Sequence, residues 1–254
     1  MRYFIITGTS RGIGESLVKQ LLNDEDNHVI CISRKKNNNL NGVGSIKTVN
    51  ASYFSFDLNN LGDIDQLFQK IFKIVNEEII ESIYLINNAG ILAPIGPIDE
   101  NSSEDVIRNL NVNLIAPILF TSNFIKYTNN INIDKRILNI SSGSVKYLLP
   151  SQSSYSTAKA GVDSFSKSVH LEQKDKPFPV KVVSVYPGVV DTQLQSEIRS
   201  TSKEKFPYVE LFNQLHVEGK LQPPLKTAEK LIELLYSEDY GNHTIVEELI
   251  TNIN

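Results

Sequence analysis

A phenol and an ammonium lie four residues apart in Ser154-Tyr155-Ser156-Thr157-Ala158-Lys159-Ala160-Gly161, just after an apolar strand pattern and at the start of a helical one. Side chains at that spacing share a helix face, so Tyr155 and Lys159 point into the same space. A neighbouring cation favours the phenolate and lowers the ordinary tyrosine pKa of about 10, making the phenol a better proton donor near neutrality. Such acid assistance suits reduction of a ketone, whose oxygen must gain a proton as its carbon gains hydride. By itself the pair is more often a tyrosine at the core edge beside a solvated lysine.

The first turn of the chain narrows the choice. Thr7-Gly8-Thr9-Ser10-Arg11-Gly12-Ile13-Gly14 follows an apolar strand pattern, Tyr3 to Ile6, and opens a helical one that runs to Leu22. Gly8, Gly12 and Gly14 allow a sharp turn and close backbone approach, and the N–H groups at the helix start, around Ser10, Arg11 and Ile13, suit a pyrophosphate. An NAD site usually carries an acid at the end of the second strand to hold the ribose hydroxyls. This chain has Ser33-Arg34-Lys35-Lys36 there, and Arg11 in the glycine turn. Cations at both places suit the 2′-phosphate of NADP(H), which arginine can grip with two bonds.

The elements that must position these groups alternate along the chain. Strand patterns occupy Tyr3 to Ile6, His28 to Ser33, Ser52 to Asp57, Ile83 to Asn87, Ile137 to Ser141, Val180 to Val185 and Thr244 to Val246. Helical patterns occupy Ile13 to Leu22, Ile64 to Val75, Ser102 to Thr128, Ser154 to Gln173 and Thr227 to Tyr236, and Pro117 predicts a kink in the third of these. Asn37 to Gly44 reads as a mobile surface loop. Continuous apolar strands separated by helices predict an α/β fold: a doubly wound (Rossmann) parallel sheet of about seven strands, covered on both faces. At 254 residues without a composition break, one domain is expected across 1–254.

Composition removes several function classes. A net charge of −4 and no basic cluster argue against nucleic acid as a main partner. No apolar run reaches the ~18 residues a membrane span needs, and the first residues read as a strand, so neither a spanning helix nor a signal peptide is expected. The single cysteine, Cys31, lies in a strand pattern and fits a reducing cytosol, so a cytoplasmic location is expected. His28, His170, His216 and His243 lack ligand spacing, and no metal is expected.

Taken together, these features make the chain similar to the short-chain dehydrogenase/reductase family, and the resemblance spans nearly its whole length. Besides the glycine turn, Asn87-Asn88-Ala89-Gly90 resembles that family's element after the fourth strand, and Asp57-Leu58 its adenine-contacting position. Asn113 falls where the family keeps a catalytic asparagine, and Ser142 stands thirteen residues before Tyr155, the usual spacing. Pro187-Gly188-Val189-Val190-Asp191-Thr192 is similar to the family's Pro-Gly element beside the nicotinamide, which implies cofactor contacts at Pro187, Gly188, Val190 and Thr192. The resemblance implies that Ser142 orients the substrate carbonyl, Tyr155 protonates the developing alkoxide, Lys159 supports the tyrosine and the nicotinamide ribose, and Asn113 positions a water.

Within the family, Phe212 to Leu221 resembles sepiapterin reductases, while Met1 to Gly8, Leu85 to Pro94 and Gly188 to Thr201 look like the bacterial reductases that convert benzil to (S)-benzoin. Both branches imply an NADPH-dependent reduction of a small-molecule ketone, either a vicinal diketone or a pterin side chain. Glu247 falls where sepiapterin reductases anchor the pterin; a solvated tail acid explains it as well. Tyr147, Leu148 and Leu149 follow the serine and are expected at the pocket, though core packing explains the two leucines equally. Residues 193–221 are expected to form a flexible cover over the substrate. Other enzymes of the fold, a 3-ketoacyl reductase or an alcohol dehydrogenase, remain as alternatives, as does a non-catalytic NADP sensor. The resemblance also implies a homodimer through the helices around Ser102 to Thr128 and Ser154 to Gln173.

Overall fold

The computed structural model describes residues 1–37 and 50–249. Seven strands form one parallel sheet: β1 (Arg2–Thr7), β2 (Asn27–Ser33), β3 (Ala51–Ser55), β4 (Ser82–Asn87), β5 (Asp134–Ile140), β6 (Lys181–Val185) and β7 (Ile245–Val246). Their order across the sheet is β3-β2-β1-β4-β5-β6-β7. Every neighbouring pair is parallel, with Ile5 opposite both Ile30 and Leu85 in the central register.

The helices are α1 (Gly12–Leu21), α2 (Ile64–Phe72), α3 (Ser103–Leu110), α4 (Ala116–Thr128), α5 (Ser153–Gln173), α6 (Gln193–Arg199), α7 (Val209–Val217) and α8 (Pro224–Tyr236). Alternation along β1 splits the core in two. Tyr3 and Ile5 meet Phe68 of α2 and Phe120 and Phe124 of α4 on one face, whereas Phe4 and Ile6 meet Leu17 of α1 and Leu231 of α8 on the other. Strands buried on both faces need continuous apolar runs, which is what the sequence shows in β1, β2 and β4. Among the described residues, no helix is long and apolar enough to cross a membrane.

Two expectations change in detail. The region 102–128 is not one kinked helix: α3, capped by the Ser102 hydroxyl accepting from Asp105 N–H at 3.1 Å, passes through a π-helical turn, Asn111–Ile115, into α4. Pro117 falls in the first turn of α4, where its missing N–H would otherwise have reached back to the carbonyl of Asn113. A widened turn resolves that mismatch without a break. Residues 193–221, expected as a flexible cover, contain α6 and α7 and fold around Phe206, which is fully buried. Smaller shifts are that β3 ends at Ser55, α2 ends at Phe72 and α8 begins at Pro224. Of the loop expected at Asn37 to Gly44, Asn37 is buried, and 38–44 lies outside the described residues.

The strand order reverses direction between β1 and β4. Open α/β sheets bind ligands beyond the carboxyl ends of their strands at such a point. The segments leaving β1, β4, β5 and β6 there are the glycine turn, Asn88 to Gly90, Ser141-Ser142 and Pro187-Gly188.

Candidate active site

The turn from β1 into α1 is packed too tightly for side chains at two places. Gly8 has φ of +76°, and a Cβ there would lie 2.8 Å from the Cα of Ala89; a Cβ on Gly14 would lie 2.2 Å from the carbonyl oxygen of Gly8. Asn88 locks the two strand ends together, its Nδ2 donating to the carbonyls of Thr7 at 2.9 Å and Gly8 at 3.3 Å. The Thr7 hydroxyl accepts from the N–H groups of Asn88 and Ala89, each at 3.1 Å. Arg11 is the extended N-cap of α1 and provides no side-chain cap, so the first N–H groups of the helix have no internal acceptor. An uncapped helix start behind a glycine cradle fits the pyrophosphate of a dinucleotide, with Ser10, Gly12 and Ile13 on the same turn.

The end of β2 is held by the neighbouring strand. Tyr53 OH donates to the Ser33 carbonyl at 2.9 Å, and the Ser55 hydroxyl donates to the Arg34 carbonyl at 3.2 Å. This leaves the Arg34 side chain exposed. Arg11, also exposed, lies 3.7 Å from Glu197 of α6. Asp57 accepts the Asn59 N–H at 3.0 Å in the turn after β3, and Leu58 enters the core. Asn87 donates to Asn139 Oδ1 at 2.8 Å inside the sheet. Val190 is buried and pairs with Gln222, while Thr192 N-caps α6 and comes near Gly12. Gly90 follows β4, and Pro187 and Gly188 follow β6, so all three leave the same edge of the sheet.

Tyr155 and Lys159 do share a face of α5, as their spacing predicts. Both are buried, and Lys159 Nζ lies 5.7 Å from the centre of the Tyr155 ring. Nζ donates to the Ile140 carbonyl at 2.8 Å. A Cβ on Gly90 would lie 3.1 Å from Asn113 Oδ1 and 3.7 Å from Lys159 Nζ, so the structure brings those two side chains to one spot. Asn113 is fully buried: Nδ2 donates to the Ile91 carbonyl at 2.8 Å and to Asn109 Oδ1 at 2.9 Å, and Oδ1 accepts from Ile91 N–H at 3.0 Å. Ser142 begins the turn after β5 in extended conformation, its hydroxyl accepting from Ser144 N–H at 3.1 Å.

Burial raises the Tyr155 pKa above its ordinary value, against an opposing hydrogen bond with Ser142. The expected lowering is therefore absent in this geometry: loss of water outweighs the hydrogen bond with Ser142. The phenol stays protonated at neutral pH, as a donor must. Burial pushes Lys159 down to about 8, opposed by the negative charge of Asp163.

The surroundings of the phenol are apolar. Leu92, Ile198, Phe206 and Val209 cluster with Tyr155, with Leu149 and Phe212 packed against them. Tyr147 and Leu148 instead project into solvent, at 74% and 73% exposure. Glu247 forms an ion pair with Lys146, in the turn after Ser142. Ile198, Phe206 and Val209 were not legible as neighbours of Tyr155, because nothing local marks which apolar side chains fold over a distant tyrosine. Asp163 did carry a signal: it continues the four-residue step Tyr155, Lys159, Asp163 along one helix face.

A glycine-cradled dinucleotide cleft at the switch of a parallel sheet, with a buried phenol and ammonium beside it, defines a Rossmann-type nucleotide-dependent oxidoreductase site. The comparisons agree: the family model for short chain dehydrogenase matches residues 2–203, and the chain belongs to the short-chain dehydrogenase/reductase family. It is accordingly an oxidoreductase that works with a nicotinamide cofactor. It is 42% identical to a benzil reductase ((S)-benzoin forming) of Bacillus cereus, over 97% of this chain and 98% of that one. A sepiapterin reductase of Rattus norvegicus is 26% identical, over 96% and 94%. Among solved structures, that of the KRED1-Pglu enzyme superposes with a TM-score of 0.82 and 26% identity, covering 97% of this chain and 100% of the other.

Proposed function

We propose that the enzyme is an NADPH-dependent carbonyl reductase that reduces one ketone of an uncharged vicinal diketone. The observation carrying this reading is the setting of the Tyr155 phenol, which is hydrogen-bonded to Ser142, backed by Lys159 and walled by Leu92, Ile198, Phe206 and Val209. An apolar wall accepts aryl or alkyl groups on both sides of a carbonyl and offers no partner to a charged head group. The 42% identity to a benzil reductase, against 26% to a sepiapterin reductase, supports the diketone over the pterin. So does the engagement of Glu247 by Lys146, which leaves the would-be pterin anchor occupied.

In this reading the glycine turn and Asn88 to Gly90 hold the cofactor, and Arg11 and Arg34 meet its 2′-phosphate. When bound, the reduced nicotinamide supplies the hydride. The Ser142 hydroxyl holds the substrate oxygen in place, and Tyr155 gives its phenolic proton to that oxygen as negative charge develops there. Lys159, charged and close behind the ring, stabilises the phenolate left afterwards. Asn113 shapes the space beside Lys159 Nζ. Residues 193–221 cover the substrate and exclude water, within one domain spanning the chain. Pairing through α4 and α5, as the family resemblance implies, makes the assembly a homodimer.

Tyr155→Phe keeps the ring and removes the proton. Turnover of benzil is expected to fall at least about 100-fold, the lower end of what a positioned general acid contributes, with NADPH binding unchanged. Retained turnover would reject the assignment of the acid.

A further inference from the structure

The environment of Lys159 raises a question that the active-site geometry alone does not answer. A lysine at 5% exposure tends to give up its proton, yet support of a phenolate needs the charged form. Asp163 lies one helical turn beyond Lys159 on the same face of α5 and is itself 5% exposed. Its two carboxylate oxygens accept hydrogen bonds from Ser184 Oγ on β6 and from Tyr186 OH just after that strand, each at 2.6 Å. Two short O–H donors, one to each oxygen, fix the carboxylate and keep it from turning to solvent.

We propose that Asp163 is a positioning residue: clamped between Ser184 and Tyr186, it keeps the buried Lys159 side chain charged, and it acts on the proton donor only through that lysine. The groups facing the pair are Tyr155 on α5, the Ile140 carbonyl at the end of β5 and Ser141 just after it, Asn113 beyond Gly90, Ser184 on β6, and Tyr186, which also feels Glu247. Asp163 is the carboxylate whose field reaches Lys159 and opposes its desolvation. Nothing in the role assigned to Lys159 requires Asp163 to touch substrate or cofactor. The inference rests on the carbonyl-reductase reading for its catalytic meaning, but the charge state of Lys159 can be measured without it.

The test is a pH titration of the cofactor-free protein by NMR, with lysine labelled at Cε and the Lys159 signal assigned by its loss in Lys159→Arg. A midpoint near 8 is expected for the wild type. In Asp163→Asn the midpoint is expected about one pH unit lower, the size of one charge acting across a helical turn at intermediate dielectric. The alkaline limb of kcat/KM for benzil should move down by the same amount. An unmoved Lys159 midpoint overturns the proposal, however much activity is lost, because a purely structural role would cost activity without moving the titration. If Asp163→Asn does not fold, Ser184→Ala with Tyr186→Phe keeps the carboxylate and removes its clamp. Lys159 is then expected to titrate lower, because the released carboxylate is no longer held facing it, and a fixed or higher midpoint overturns the idea. Retained turnover in Tyr155→Phe would instead reject the reductase reading while leaving the Lys159 titration to stand or fall by itself.

Discussion

In its proposed role, Lys159 would serve chemistry at the expense of the fold. Its pKa falls from 10.5 to about 8 on burial. The sign follows directly. Below pH 8 both folded and unfolded chains carry the proton, and the folded one holds that charge away from water. Above 10.5 neither is charged and the cost is gone, so stability from this group grows with pH between about 8 and 10.5. The gap corresponds to about 3 kcal/mol at ~1.36 kcal/mol per pH unit. Lys159→Met removes the buried charge but also the charge-assisted bond to the Ile140 carbonyl, a loss of about 2 kcal/mol. Lys159→Met is therefore expected to be more stable than wild type at pH 7 by about 1 kcal/mol, raising Tm by roughly 2–4 °C in a chain of this size. Calorimetry at pH 7 and pH 10 checks both halves: the gain should shrink at the higher pH. A variant no more stable than wild type at pH 7 would mean that the ammonium is well solvated where it stands.

At the scale of elements, the cover proposed for residues 193–221 is a layer with its own small core. Helices α6 and α7 meet the sheet side of the site through Ile198, Phe206 and Val209, packed on Leu92 and Tyr155. Phe206 is fully buried there, separate from the two clusters that hold the sheet. Phe206→Ala should cost the cover about 3–5 kcal/mol, enough to let it open while the sheet stays folded. The expected outcome is a KM for the diketone raised more than kcat is lowered, together with new proteolytic cleavage near residues 200–208 and a small loss in Tm. Equal protease resistance in variant and wild type would show that the cover draws its order from elsewhere. These two helices were also the elements least legible in the sequence. Val209 is the single buried residue of α7, and α6 buries Gln195 beside Ile198, so neither shows an apolar stripe of helical period. By contrast β1, β2, β4 and α5 were legible within a residue or two, because continuous apolar runs and a long segment free of Pro state their own structure. The π-turn at Asn111–Ile115 was half legible: Pro117 marked the place, but whether the chain kinks or widens depends on packing against α5 that no local pattern encodes.

For the whole molecule, the informative feature is convergence. Residues scattered from Gly8 to Thr192 meet because four parallel strands end on one edge, on either side of the switch between β1 and β4. The alternation of strands and helices predicted that edge, and the motif residues were legible by their places at strand ends. Long-range partners were not: Glu197 beside Arg11 and Ser184 and Tyr186 around Asp163 are joined by the fold alone. Arg11 and Arg34 stand exposed, one in the glycine turn and one at the end of β2, and in the proposed function their charge bears on the molecule as a whole through ligand linkage. A ligand at 100 times its Kd stabilises the folded chain by about 2.7 kcal/mol. For a protein of this length that raises Tm by roughly 5–10 °C. NADPH should therefore raise Tm more than NADH at equal concentration, since only NADPH brings a phosphate to the two guanidinium groups. The advantage should shrink in high salt, because both arginines are exposed and their attraction is screened. Arg34→Asp should cancel or invert the ranking by setting a carboxylate against the phosphate and beside the free ribose hydroxyls of NADH. Equal shifts from the two cofactors in the wild type, or an Arg34→Asp protein that still ranks NADPH first, would remove the 2′-phosphate from this end of the cleft and leave the two arginines as surface charge.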